Sequence, residues 1–148
     1  MQLRRAIRKA LGPRLDLGID FPVRRTFDQV VSDTRIEMAD LDGDGIPEVI
    51  AQASDLQGGC SATGNCPIWI FRKSATEYKL ILDSQGQLTK ILDARNEDFR
   101  DFLVSVHEST YEQTLLVYRF SGGAYRIRNC YDRATSIEAT GATVRSCK

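Results

Sequence analysis

The sequence predicts a mainly β fold, two four-stranded antiparallel units preceded by a short N-terminal helix. Three observations predict it. After residue 33, short runs rich in Ile, Val, Leu, Tyr and Phe alternate with turn residues. The intervals between runs are too short for crossover helices, which leaves antiparallel pairing. The runs also fall into two similar sets of four, in the same order.

The 148 residues are treated as one domain. Apolar residues make up 42% and charged residues 27%, an ordinary globular mix. Net charge is zero, so no global field favours nucleic acid. The balance is uneven along the chain. Residues 1–25 carry Arg4, Arg5, Arg8, Lys9, Arg14, Arg24 and Arg25 against Asp16 and Asp20, and the rest is correspondingly acidic. No apolar run approaches the ~18 residues of a membrane span.

The elements follow in order. Leu3, Ile7, Ala10 and Leu11 recur at helical spacing, and Gly12-Pro13 should end that helix, giving a span of 1–12. It could pack on the domain, lie on a membrane surface, or be a frayed or mis-assigned start. The basic start lacks the apolar stretch of a secretory signal. Strands are expected near 35–40, 48–54, 67–73, 78–83, 88–93, 101–108, 113–121 and 124–130. Tyr78, Leu80 and Leu82 should share one face, with Lys79 and Asp83 on the other. Trp69 and Phe71 are expected on opposite faces, so that one needs cover from a neighbouring unit, the helix or a partner.

The repeat rests on two alignments. At an offset of 47, "WIFRKSATEYKLI" (69–81) lies over "LVYRFSGGAYRIR" (116–128), matching Phe71 with Tyr118, Arg72 with Arg119 and Tyr78 with Tyr125. At an offset of 53, Asp40 meets Asp93, Asp44 meets Glu97, and "EVI" (48–50) meets "DFL" (101–103). The units are then 35–83 and 88–130, with 131–148 as a tail that could cover an edge. Four antiparallel strands in roughly 45 residues are the size of a propeller blade. Two blades cannot close a ring, so they must pack face to face or form one curved sheet.

The chemistry concentrates in "DLDGDGIPE", residues 40–48. Asp40, Asp42, Asp44 and Glu48 crowd like charge into a tight turn, and Gly43 and Gly45 permit the backbone that brings them together. Such carboxylates repel unless a cation lies between them. Calcium takes six to eight oxygens at about 2.3–2.6 Å, and the Ile46 carbonyl could add one. An EF-hand would need Glu at position 12, where this loop has Ala51. The pattern Asp-x-Asp-Gly-Asp-Gly-x-Pro-Glu before a short apolar strand resembles the calcium loop of FG-GAP and VCBS-type repeats, the blade units of integrin-like propellers and of many extracellular bacterial proteins. The resemblance implies calcium held by Asp40, Asp42, Asp44, Glu48 and the Ile46 carbonyl. The chain is also similar to small uncharacterised secreted bacterial proteins carrying one such loop. The second unit, "DARNEDFRD" (93–101), keeps Asp93, Glu97 and Asp101. It has Arg95 at position 3, where a guanidinium would neutralise the carboxylates in place of a metal.

Four cysteines permit three pairings. Cys60–Cys66 and Cys130–Cys147 are the favoured pair of bridges, which would imply an oxidising, periplasmic or secreted setting. The alternative is four reduced thiols. His107 is the single histidine, and no GxSxG, P-loop or HExxH segment occurs. Trp69, Arg72 and Arg119 mark a candidate recognition face. The expected function is a calcium-stabilised, non-enzymatic module that binds a protein or a cell-envelope component. The alternatives are an inhibitor or immunity protein of a bacterial hydrolase, and a hydrolase whose site has no familiar signature.

Overall fold

The computed structural model describes residues 2–16, 34–53, 60, 61, 63–109, 112–134 and 142–145. They form one helix, α1 (Gln2–Asp16), and eight strands: β1 (Arg35–Ala39), β2 (Glu48–Gln52), β3 (Cys66–Lys73), β4 (Tyr78–Asn96), β5 (Phe99–His107), β6 (Glu112–Ser121), β7 (Ala124–Ala134) and β8 (Ala142–Arg145). Each strand pairs antiparallel with the next, so the sheet order is the chain order. The mainly β expectation holds, and so does antiparallel pairing.

β4 organises the molecule. Its first half, as far as Gly86, pairs with β3, and from Gln87 on it pairs with β5. The sequence predicts two strands here, 78–83 and 88–93. One bent strand forms instead, because Ser84–Gln87 continue the ladder rather than turn. Register shifts beside Ile81, at Thr89 and between Ile91 and Arg95 each leave residues of β4 without a partner opposite. Such bulges bend a strand and increase its twist. Gly86 sits at the bend with φ 138°, and a Cβ there would lie 2.6 Å from the Ser105 carbonyl oxygen. Only glycine lets the two halves approach so closely.

The bend folds the sheet over one core. Ile50, Ile68, Ile70 and Leu82 from the first half meet Phe102, Val104, Tyr118, Phe120 and Tyr125 from the second. The aromatic rings pack in stacked and tilted pairs, with Phe102 and Tyr118 centroids 5.4 Å apart and Phe102 and Tyr125 4.5 Å apart. Alternate residues of the first half, Val49, Ala51, Trp69 and Phe71, point the other way and are covered by Leu3, Ala6 and Ile7 of α1. Leu3 and Ile7 of the expected stripe therefore pack on the sheet. The end of the helix is misjudged, because α1 continues through Gly12-Pro13 to Asp16.

Several expectations about faces are corrected. Trp69 and Phe71 lie on the same face, both under α1, as the period of two requires for residues i and i+2. Trp69 is fully buried, so it presents no recognition surface. Tyr78 and Leu80 do not share a face with Leu82, because the bulge at Ile81 reverses the alternation.

The same test removes the register of the proposed duplication. Phe71 and Tyr78 belong with the helix-covered cluster, whereas their matches Tyr118 and Tyr125 lie in the central core. Val49 and Phe102, matched at the other offset, are divided in the same way. The halves thus lie in one continuous sheet, and the aligned residues face opposite ways. The tail also contributes β8, which the strand pattern does not anticipate.

Cys60 and Cys66 are bonded as expected. Their loop is tied to β5 by Asn65, whose Nδ2 donates to the His107 carbonyl and whose Oδ1 accepts from the His107 N–H, both at 2.8 Å. Cys130 is also disulfide-bonded. Its expected partner, Cys147, lies outside the described residues.

Candidate metal centre

The loop between β1 and β2 is built from its own aspartates. Asp40 accepts backbone N–H bonds from Gly43 (2.8 Å) and Gly45 (3.0 Å), one on each carboxylate oxygen. Asp42 accepts from Asp44 N–H at 3.1 Å, and Asp44 from Ile46 N–H at 2.7 Å. These are successive Asx turns, the local bonding for which aspartate is favoured in loops. Gly43 (φ 76°) and Gly45 (φ 84°) take the left-handed conformation that the winding needs.

The winding brings Asp40, Asp42 and Glu48 together, with one carboxylate oxygen from each within 4.8 Å of the others. Asp44 stands outside that trio and faces Arg72, with 3.8 Å between Nη2 and Oδ2. The structure therefore gathers three of the four expected carboxylates. The Ile46 side chain is half exposed.

Glu48 differs from its neighbours. It is the first residue of β2 and alternates inward with Ile50, so it is only 1% exposed. Its Oε2 accepts the Leu41 N–H at 2.8 Å. Burial raises its pKa, the Leu41 bond opposes the rise, and Asp42 and Asp44 add to it by repulsion. This is a carboxylate held where its charge is costly.

Two cations border the cluster that motif spacing could not place. Arg72, from the end of β3, bonds Asp42 at 2.8 Å and lies over the Phe99 ring at 5.1 Å. Arg95 donates to the Asp98 carbonyl at 2.7 Å and the Leu41 carbonyl at 3.4 Å, and it passes close to Gly43. The expectation that Arg95 neutralises its own unit's carboxylates is thus corrected, since it reaches across to the first loop. Arg100 N–H also bonds the Leu41 carbonyl at 2.8 Å. The start of β5 and the turn before it form one wall of the site.

The second acidic stretch is not a loop of the same kind. Asn96 pairs with Phe99 across a two-residue turn, Glu97-Asp98, and both turn residues have positive φ (48° and 69°). Asp93 pairs with Arg100 at 3.0 Å, and Glu97 accepts from Gly122 N–H. Asp101 is buried and receives a forked pair of bonds from Arg119, at 2.7 Å from Nη2 and 3.1 Å from Nε. That contact raises the Arg119 pKa further. Arg72 and Arg119, expected on a recognition face, are both engaged by carboxylates of the chain itself.

No protein-family model, curated protein or solved structure matches the chain.

Proposed function

We propose that the chain is a calcium-stabilised β module in which loop 40–48 holds one cation. A single observation carries the reading: the carboxylates of Asp40, Asp42 and Glu48 converge, with Glu48 buried at their base. Each oxygen already accepting a backbone N–H keeps a second lone pair for a metal. A divalent ion would relieve both the mutual repulsion and the desolvation of Glu48. Asp40, Asp42 and Glu48 would supply protein oxygens. Asp44 and the Ile46 carbonyl, both implied by the FG-GAP resemblance, would complete the shell with water.

The module's role would be recognition of a protein or cell-envelope component in an oxidising compartment, with which the disulfides are compatible. Half-exposed Ile46 at the loop offers apolar surface for such a partner. No helix among the described residues is long and apolar enough to cross a membrane.

Titration calorimetry with calcium, and with magnesium in parallel, tests the metal assignment. One calcium site is expected, lost in Asp42→Ala and kept in Asp93→Ala. Absence of heat in the wild-type chain would leave loop 40–48 as an ion-paired turn closed by Arg72.

A further inference from the structure

β1 ends the sheet, so one edge of its backbone has no strand beside it among the described residues. Natural sheets protect such edges with short strands, charged side chains, proline, bulges or covering segments. β1 is short and carries Arg35 and Glu37, but it has no proline and its register with β2 runs without a shift, so those two charges are what discriminate among partners. Ile36 is 41% exposed and Met38 59%. Both lie on the face of Val49 and Ala51, their partners across the ladder.

The charges on β1 are arranged to choose a partner. Arg35 and Glu37 flank Ile36 on the other face and form an ion pair with each other along the exposed edge. We propose that β1 pairs antiparallel with β1 of a second copy of this chain, about a two-fold axis through Ile36. That axis sets Arg35 opposite Glu37 of the partner, and Glu37 opposite the partner's Arg35. Directly opposed unlike charges favour a pair of strands, and like charges oppose it. An axis normal to the sheet keeps each face on its own side, so only residue-centred registers match. Moving the axis to Glu37 opposes two glutamates, and moving it to Arg35 opposes two arginines. The Arg-Ile-Glu triplet is self-complementary in one of these three registers. In that register the Ile36 side chains meet across the axis, with Met38 beside them. The contact is isologous and closes at two copies.

Sedimentation velocity on the whole chain tests this, over roughly a hundredfold concentration range that spans a weak dissociation constant. The wild-type chain should pass from monomer to dimer and no further. Glu37→Arg and Arg35→Glu should each weaken association at least about tenfold, since each sets like charges opposite one another. The double variant R35E/E37R should recover the wild-type constant, because the swap restores complementarity. Both side chains are well exposed (74% and 49%), so the variants should melt as the wild type does. A monomer at every concentration would overturn the proposal. So would a folded double variant that fails to recover. Growth beyond the dimer would overturn it too, pointing to β1 against β8 of the next molecule.

Discussion

Glu48 is the residue on which most of the site's energetics converge. Its folded pKa lies above the ordinary value of 4.5, chiefly through burial. The native state then binds more protons than the unfolded chain between those two pKa values, so stability falls as pH rises through that window. The contribution is fully present below the unfolded value and is lost as pH passes the folded one. Urea unfolding of metal-free protein across acid to neutral pH should show this decline, and Glu48→Gln should flatten it. An equally steep decline in the variant would assign the effect elsewhere. The sequence shows four equivalent carboxylates, and burial singles out Glu48. That inequality was hidden because it comes from tertiary packing: the Glu48 charge acts on Tyr125, far away in the chain.

The two matched tyrosines now separate. Tyr125 is 6% exposed, packs against Phe99, Phe102 and Phe120, and donates to the Arg100 carbonyl at 2.9 Å. Tyr125→Ala should cost about 3–5 kcal/mol, as truncation of a large core aromatic does. Tyr125→Phe should cost about 0.5–1.5 kcal/mol, the worth of one hydrogen bond. Tyr78 is only half-buried beside α1, so Tyr78→Ala should cost clearly less than Tyr125→Ala. Equal losses in chemical denaturation would restore the equivalence that the packing denies.

At the scale of elements, turns carry the most specific expectations. Glu97 and Asp98 occupy a hairpin position where both residues have positive φ, a conformation suited to Asn-Gly. Asp98→Gly should therefore stabilise the chain slightly, by less than about 1 kcal/mol, because the left-handed strain it relieves is partly offset by the freedom glycine adds to the unfolded chain. Gly86→Ala should do the opposite, costing on the order of 1–3 kcal/mol or more, since its Cβ would meet the Ser105 carbonyl at 2.6 Å. Thermal melts would read both, and a neutral Gly86→Ala would refute the bend as a close-approach site. Most strands were legible because alternation and turn residues are local signals, and Gly122-Gly123 does form the β6–β7 turn. The union of 78–83 with 88–93 was not. Gln85-Gly86-Gln87 reads as a turn, and a bulged bend uses the same residue types.

For the whole molecule, the architecture is one meander folded over by β4 and backed by α1. Self-similarity misled because amphipathic hairpins resemble one another whichever face they bury. A pattern such as Phe-Arg-x-Ser or Tyr-Arg-x-Ser fits Phe71, which lies under the helix, and equally Tyr118, which lies in the core. Composition and spacing also located the acidic loop, because Asx turns are built from neighbours. They could not show that Arg72 and Arg95 border it, since those contacts span 30 and 54 residues.

The central claim is that loop 40–48 binds a cation that stabilises the fold. Thermal unfolding of the wild-type chain and of Glu48→Gln, each in chelator and in saturating calcium, tests it most directly. A ligand that binds only the folded state adds about 2.7 kcal/mol at a hundredfold excess over its dissociation constant. For a chain of this size that is a shift of roughly 5–10 °C. The account predicts such a rise in the wild type and little or none in Glu48→Gln. An unchanged wild-type melting temperature, or an equal rise in both proteins, would contradict it.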